Sequence, residues 1–142
     1  MSLKKIGLDY YIAKIGKAKL KISGNNIARI FSEHKTDWDM VNEDGILKGV
    51  VMNTLRKQNK IENLPKVGDW VIYQKLSNEN KAKIIEVLPR YGILARHLTK
   101  TNSTQVIAAN IDIMFIVLSV DQIFNPPQLN RYLTIALDGN IH

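Results

Sequence analysis

The sequence predicts a mainly β protein, in which a small closed barrel of five short strands is followed by the opening strand and helix of an α/β domain. Between residues 27 and 88, short apolar stretches alternate with turn residues, and this pattern suits a five-stranded barrel. Closure also removes the sheet edges that such short strands would otherwise expose. After residue 110 the apolar residues become continuous, which is typical of a strand buried on both faces of a parallel sheet.

Residues 1–26 mix apolar residues with lysines and show no clean period. Ile12, Ile15 and Lys19 fit one face of a helix, whereas residues 19–22 alternate as in a strand. We expect a basic N-terminal extension that either packs loosely or wraps the domain that follows it.

Residues 27–88 contain the five predicted strands and one long excursion. Asn42-Glu43-Asp44-Gly45 is a hairpin signal, because Asp-Gly supplies the positive φ that tight turns need. A less regular stretch, residues 53–66, separates the third strand from the fourth. The expected strands are residues 27–31, 38–41, 46–52, 70–74 and 82–88.

Residues 89–105 are predicted to form a linker, and residues 106–142 to begin a second domain. Residues 111–120 form the expected buried strand, and a helix follows with Asn125 as its N-cap and Pro126 in its first turn. Gly139 is the expected stop signal. Because a lone parallel strand leaves its backbone groups unpaired, we expect a truncated domain; the alternative is a strand that joins a partner's sheet.

The net charge of +7 is unevenly distributed. Residues 1–31 carry +6, residues 32–105 carry +3, and residues 106–142 carry −2. A basic front suggests a polyanionic partner for that part of the chain, although a lysine-rich solvated surface gives the same pattern.

Several kinds of chemistry find no support in these residues. There is no phosphate-binding glycine loop, and residues 59–62 (Asn-Lys-Ile-Glu) resemble a guanine-reading motif only superficially. The chain has no cysteine, and His34, His97 and His142 lie too far apart in sequence to suggest a metal site. No apolar run approaches the ~20 residues of a membrane span.

Nucleic-acid binding remains, because small barrels of this kind bind polynucleotides with cations for phosphate and aromatic rings for bases. Two alternatives stay open: Trp38 and Trp70 as core residues, and the lysines as solvated surface. The candidate RNA-binding residues are Arg29, His34, Lys35, Trp38, Lys48, Arg56, Lys57, Arg90 and Arg96.

Five segments occur in the order and spacing of a known family, and residues 29–34 resemble its first barrel strand. The sequence resembles the N-terminal part of the RsgA family, also called YjeQ or EngC, over most of residues 27–139. The matching segments are residues 67–71 (Val-Gly-Asp-Trp-Val), 84–90 (Ile-Ile-Glu-Val-Leu-Pro-Arg), 94–96 (Leu-x-Arg), 105–112 (Gln-Val-Ile-Ala-Ala-Asn-Ile-Asp) and 129–133 (Leu-x-Arg-Tyr-Leu).

The resemblance implies an OB-fold barrel at residues 27–88 that docks on 16S ribosomal RNA of the 30S subunit. It further implies a circularly permuted GTPase domain that starts in residues 106–142, followed by a zinc-binding domain. GTP, Mg²⁺ and zinc would then belong to the full-length parent, and no cofactor to these 142 residues, which we expect to be inactive alone. We expect a cytoplasmic monomer without membrane contact. The alternative is a stand-alone OB-fold module for nucleic-acid binding or oligomerisation.

Overall fold

The computed structural model describes residues 2–16, 20, 26–51, 64–76, 80–98, 102–119 and 125–141 of the chain. Five strands close into a barrel in the order β1-β2-β3-β5-β4, and neighbours are antiparallel except for the parallel pair β3–β5. The predicted five-stranded barrel is therefore confirmed, with strand ends within two residues of those expected. The strands are β1 (Asn26–Glu33), β2 (Trp38–Val41), β3 (Ile46–Val51), β4 (Trp70–Lys75) and β5 (Lys81–Val87).

The barrel core is filled by side chains that alternate along each strand. Ala28 and Ile30 of β1 pack with Met40 of β2, and all three are buried. On β3, a Cβ added at Gly49 would lie 2.7 Å from Met40 Sδ and 2.9 Å from Ile84 Cδ1. Glycine at this position therefore lets Met40 and Ile84 meet across the barrel at native packing density.

The β2–β3 connection, residues 42–45, confirms the predicted hairpin. The side chain of Asn42 accepts hydrogen bonds from the backbone N–H groups of Asp44 (2.9 Å) and Gly45 (2.8 Å). Gly45 has a φ of 137°, which a residue with a Cβ rarely adopts. The buried Asn42 amide also donates to the Tyr73 hydroxyl at 2.6 Å, and this bond fixes the turn to β4.

The N-terminal segment packs against the outside of the barrel. It consists of a 3₁₀ turn (Leu3–Ile6) and helix α1 (Leu8–Ile15), which meet at Gly7 with a φ of 94°. Tyr11 is 1% exposed; its ring centroid lies 5.7 Å from that of Trp70, and its hydroxyl donates to the Pro89 carbonyl at 2.6 Å. Of the two expectations for the extension, wrapping therefore describes residues 2–16.

The segment predicted as a linker contains regular structure. Strands β6 (Ile93–Leu98) and β7 (Ser103–Ala109) form a separate antiparallel two-stranded sheet. Of the polar residues 99–104, which suggested an irregular connector, Ser103 and Thr104 belong to β7, and residues 99–101 lie outside the described residues. The sheet is tied to the barrel because the Ala109 N–H donates to the Val67 carbonyl at 2.9 Å.

The strand predicted over residues 111–120 is not formed in the described residues 111–119. A strand needs hydrogen-bonded neighbours, and no described residue pairs with this stretch. Exposure nevertheless alternates along it, and Phe115 and Val117 are 85% and 90% exposed. This stretch therefore forms no ladder, and the side chains of Ile113, Phe115 and Val117 are uncovered.

Helix α2 (Pro126–Asp138) confirms the predicted helix and its N-cap, because Asn125 Oδ1 accepts from the Gln128 N–H at 3.2 Å. Its end differs in mechanism from the expected one. Gly139 has a φ of −82°, and the left-handed residue is Asn140, with a φ of 54°. Two hydrogen bonds complete a Schellman motif: Ile141 N–H to the Ala136 carbonyl and Asn140 N–H to the Leu137 carbonyl.

Glycine is required at position 139 for a different reason, since a Cβ there would lie 2.4 Å from the Ile93 carbonyl oxygen. The end of α2 therefore packs on β6. Neither helix in the described residues has the length and apolar character needed to cross a membrane.

Candidate nucleic-acid interface

A group of charged side chains, the loop cluster (His34, Asp37, Asp39 and Lys48), joins the β1–β2 loop to β3. His34 Nε2 lies 2.7 Å from Asp39 Oδ2, and Lys48 Nζ lies 3.2 Å from Asp37 Oδ1 and 3.1 Å from Asp39 Oδ1. The hydrogen bond with His34, and then the one from Lys48, hold the pKa of Asp39 below its ordinary value. The same carboxylates raise the pKa of Lys48.

The loop cluster also brings together potential metal ligands, since the ligand atoms of His34, Asp37 and Asp39 lie within 4.8 Å of one another. The Lys48 ammonium already contacts both carboxylates, so it supplies the positive charge that they require. We therefore interpret the loop cluster as a set of ion pairs that holds the β1–β2 loop against β3. For His34 and Lys48, a phosphate contact stays a prediction that requires these pairs to open.

Arg90 lies at the junction of the barrel and the β6–β7 sheet and forms a bidentate pair with the buried carboxylate of Asp69. Its Nε donates to Asp69 Oδ1 at 2.8 Å, and a terminal nitrogen donates to Asp69 Oδ2 at 2.6 Å and to the Leu64 carbonyl at 3.0 Å. Burial raises the pKa of Asp69, and the Arg90 guanidinium opposes that rise. These contacts account for Arg90 without RNA, and its role in RNA binding stays untested.

Arg29 is half-buried and connects the barrel to the N-terminal segment. One terminal nitrogen donates to the Ile6 carbonyl at 2.5 Å, the other lies 3.5 Å from the Asn110 carbonyl, and the guanidinium carbon lies 5.6 Å from the centre of the Trp70 ring. All these partners are neutral, so the positive charge of Arg29 is held in place without being cancelled by them.

Trp38 does not offer a stacking surface for bases. Its side chain belongs to the barrel core, the residue is 2% exposed, and its Nε1 donates to the Pro65 carbonyl at 2.9 Å. The alternative of a buried residue is correct for both tryptophans: Trp38 fills the barrel core, and Trp70 is buried between the outer wall of the barrel and the N-terminal segment, against Tyr11.

The remaining candidates are exposed or fall outside the described residues. Lys35 lies on the β1–β2 loop and is exposed. Arg96 is exposed on β6, and its Nε donates to the Gln105 side chain at 3.0 Å. Because this partner is a neutral amide, the hydrogen bond does not neutralise the charge of Arg96. Arg56 and Lys57 lie outside the described residues, and their phosphate contacts stay predictions.

Phe31 is the aromatic residue that the sequence-based list missed. It lies on β1 at the β-bulge, between Ile30 and Ser32, and is 45% exposed. The signal was present in the alternation, because Ala28 and Ile30 face the core, which places residues 29 and 31 outward. The exposed aromatic ring of this strand therefore lies next to Arg29, on the outer wall of the barrel.

Solved structures define the class of fold. The structure described as "The crystal structure of YloQ, a circularly permuted GTPase" matches 86% of this chain and 40% of its own length, with a TM-score of 0.55 at 20% identity. YjeQ from Thermotoga maritima matches 83% of this chain and 39% of its own length, with a TM-score of 0.60 at 20% identity. The barrel and its flanking elements thus have the fold found in circularly permuted GTPases.

Curated relatives identify the family. Over 120 residues the chain is 34% identical to small ribosomal subunit biogenesis GTPase RsgA 2 of Lactiplantibacillus plantarum, covering 84% of this chain and 34% of the relative. Over 95 residues it is 44% identical to RsgA 1 of Listeria innocua, covering 64% of this chain and 26% of the relative. No protein-family model matches the sequence. The chain belongs to the RsgA family and spans about a third or less of the length of these relatives.

Proposed function

We propose that this chain is the RNA-docking part of a small ribosomal subunit biogenesis GTPase, and that its OB-fold barrel binds 16S ribosomal RNA of the 30S subunit. The observation that supports this most is the closed five-stranded barrel in a chain 34% identical to a relative of that name. The barrel carries cations on its outer surface, and OB folds bind polynucleotides in this way.

GTP hydrolysis belongs, in this proposal, to the full-length parent, which would also hold GTP, Mg²⁺ and zinc. The 142 residues contain no glycine-rich phosphate loop, and phosphoryl transfer depends on positioned backbone amides, a lysine and Mg²⁺. We expect the chain alone to bind RNA without hydrolysing GTP, and the parent to act in the cytoplasm as a monomer.

Salt-dependent RNA binding tests the proposal. The 142-residue chain is titrated with purified 30S subunits and with isolated 16S ribosomal RNA at several salt concentrations. Each phosphate contact releases counterions, so affinity should fall about 10³- to 10⁵-fold between low and moderate salt if six to ten contacts form, and proportionately less for fewer contacts. Absence of binding, or an affinity that does not change with salt, contradicts the proposal.

A second candidate is a stand-alone OB-fold module that oligomerises, and the uncovered apolar side chains of Phe115 and Val117 favour it. Apolar surface of this kind marks interaction sites in soluble proteins. Sedimentation of the 142-residue chain separates the two candidates: a defined dimer supports the oligomerisation module, and a monomer supports the docking part of a longer protein.

A further inference from the structure

A groove runs between the N-terminal segment and the outer wall of the barrel; we call it the β1 groove. The 3₁₀ turn and Gly7 form one side, β1 and β2 form the floor, and residues near Gly68 and Ala109 form the far side. Its lining includes Lys5, Arg29, Phe31, Val41 and Val67.

The walls of the β1 groove are fixed by backbone geometry. Arg29 holds the Ile6 carbonyl, and Gly7 has a φ of 94°, so the N-terminal wall turns sharply at a point where glycine is favoured. On the far side, a Cβ added at Gly68 would lie 2.0 Å from the Ala109 carbonyl oxygen. The N-terminal wall is held by the hydrogen bond from Arg29, and the far wall by close backbone approach, so the groove is formed before a ligand arrives.

The chemistry of the lining is apolar and cationic. Phe31 offers a half-exposed ring, with Val41 and Val67 also in the lining. Lys5 is exposed, and the contacts that hold Arg29 are to neutral groups. Among the described residues that line the groove there is no carboxylate. A ligand that complements it has a flat apolar face and a negative charge beside it.

We propose that the β1 groove binds an unpaired nucleotide of RNA, with the base against the Phe31 ring and the phosphate near Lys5 and Arg29. This rests on the proposed RNA-docking function and names the site and the ligand class. A nucleotide joins a planar base to a phosphate, which matches the ring and the two cations of the groove. A base inside a duplex is stacked on both faces and cannot reach Phe31, so the groove selects unpaired RNA.

The probe is a single-stranded oligoribonucleotide of about ten nucleotides, within the site size of an OB fold, that carries one fluorescent purine analogue. The 142-residue chain should quench the analogue by stacking, and the same oligonucleotide in a perfect duplex should bind more weakly. Phe31→Ala should abolish the quench and weaken binding about 5- to 150-fold, which corresponds to the loss of one stacked base. Phe31→Tyr should keep both.

A matched control makes the same chemical change elsewhere. Phe115→Ala removes an exposed phenylalanine outside the groove lining and should leave the quench and the affinity unchanged. Lys5→Ala should keep most of the quench and reduce the slope of log affinity against log salt by about 0.7, the value for one phosphate contact to a single strand. Circular dichroism of each variant checks that the barrel is intact.

The outcomes separate this inference from the proposed function. If the chain binds 16S ribosomal RNA with a salt-dependent affinity but Phe31→Ala binds as wild type does, the groove assignment is wrong and RNA docking stands. If the chain binds no RNA at all, both are wrong. Equal affinity for an acidic peptide carrying a phenylalanine, with loss on Phe31→Ala, would overturn the nucleotide as the occupant.

Discussion

The barrel and the C-terminal region, residues 111–141, are both rich in apolar residues but differ in how much of that surface is covered. Ile30, Met40 and Ile84 are essentially inaccessible in the barrel core. Phe115, Val117 and the Leu137 side chain on α2 are largely exposed. Apolar sequence is therefore not sufficient for burial: the barrel strands cover one another by closing, whereas residues 111–119 pair with no described strand and α2 packs on β6 near its C-terminal end.

This difference in burial indicates that the barrel contributes more to the free energy of folding than the exposed C-terminal residues do. Burial of a Val, Leu, Ile or Phe side chain contributes about 1.5–3 kcal/mol, and the barrel collects this contribution while the exposed C-terminal residues do not. Substitutions in the barrel core should therefore change the free energy of unfolding strongly, and substitutions at exposed apolar positions such as Phe115 and Val117 should mainly change association or solubility.

The largest change in unfolding free energy is expected from Arg90→Ala, at the junction of the barrel and the β6–β7 sheet. The variant leaves the Asp69 carboxylate buried without its bidentate partner, which costs about 3–5 kcal/mol of stability. Urea unfolding measures it, and Arg96→Ala, which removes an exposed arginine, is the matched control. The deficit should shrink as the pH falls, because protonation of Asp69 removes the buried charge. A deficit below 1 kcal/mol would show that the pair is not needed to hold the junction.

A direct test of the comparison pairs Ile84→Ala with Val117→Ala. Ile84→Ala opens a cavity in the barrel core and should cost about 2–5 kcal/mol of unfolding free energy. Val117→Ala alters an exposed side chain and should stay within about 0.5 kcal/mol of the wild type. Both are read from denaturant unfolding of the same chain. If the two costs were equal, residues 111–119 would be packed in solution and the contrast between the regions would be lost.

The barrel was predicted from the sequence more completely than the segments that follow it. Strand alternation and the Asn-Glu-Asp-Gly turn were enough to predict the five barrel strands. The pairs β1–β4 and β3–β5 that close the barrel join residues far apart in sequence. The strand predicted at residues 111–120 is not formed in the described residues 111–119, because strand formation depends on a partner that an apolar run cannot reveal. Helix α2 was predictable from Asn125 and its apolar period, whereas the polar sequence of residues 99–104 suggested a linker and hid the strands β6 and β7.

The candidate site was predicted less completely, since a sequence shows charge but not pairing. Long-range contacts decided which cations are engaged: Arg90 meets Asp69, and Arg29 meets the Ile6 carbonyl. Trp38 was a candidate for RNA contact with a core position as its alternative, and the core position is the correct one. The outward position of Phe31 could have been predicted, because Ala28 and Ile30 face the core and residues 29 and 31 therefore share the outer face of β1.

A smaller effect should appear in alkali, where the junction of α1 with the barrel is sensitive. Burial raises the pKa of Tyr11 and of Tyr91. For Tyr91, the hydrogen bond to Asp112 raises the pKa further. Since both hydroxyls stay protonated longer in the folded state, their contribution to stability is complete below the ordinary tyrosine pKa of about 10 and falls as the pH rises above it. Thermal unfolding against pH measures this, with Tyr11→Phe as control. Tyr11→Phe should lose less stability in alkali than the wild type, and equal losses would contradict the assignment.

The smallest effect is expected at the loop cluster, which is exposed and screened by solvent. The pKa of Asp39 is lowered by its hydrogen bonds with His34 and Lys48, so its contribution is present above the ordinary aspartate pKa of about 4 and is lost as the pH falls below it. Asp39→Asn should therefore unfold slightly more easily than wild type near neutrality, and the two melting temperatures should converge in acid. High salt should reduce the neutral difference, because exposed ion pairs are screened. A difference that persists in acid would show that Asp39 acts through packing, and the loop cluster would then belong to the closed barrel and not to its surface.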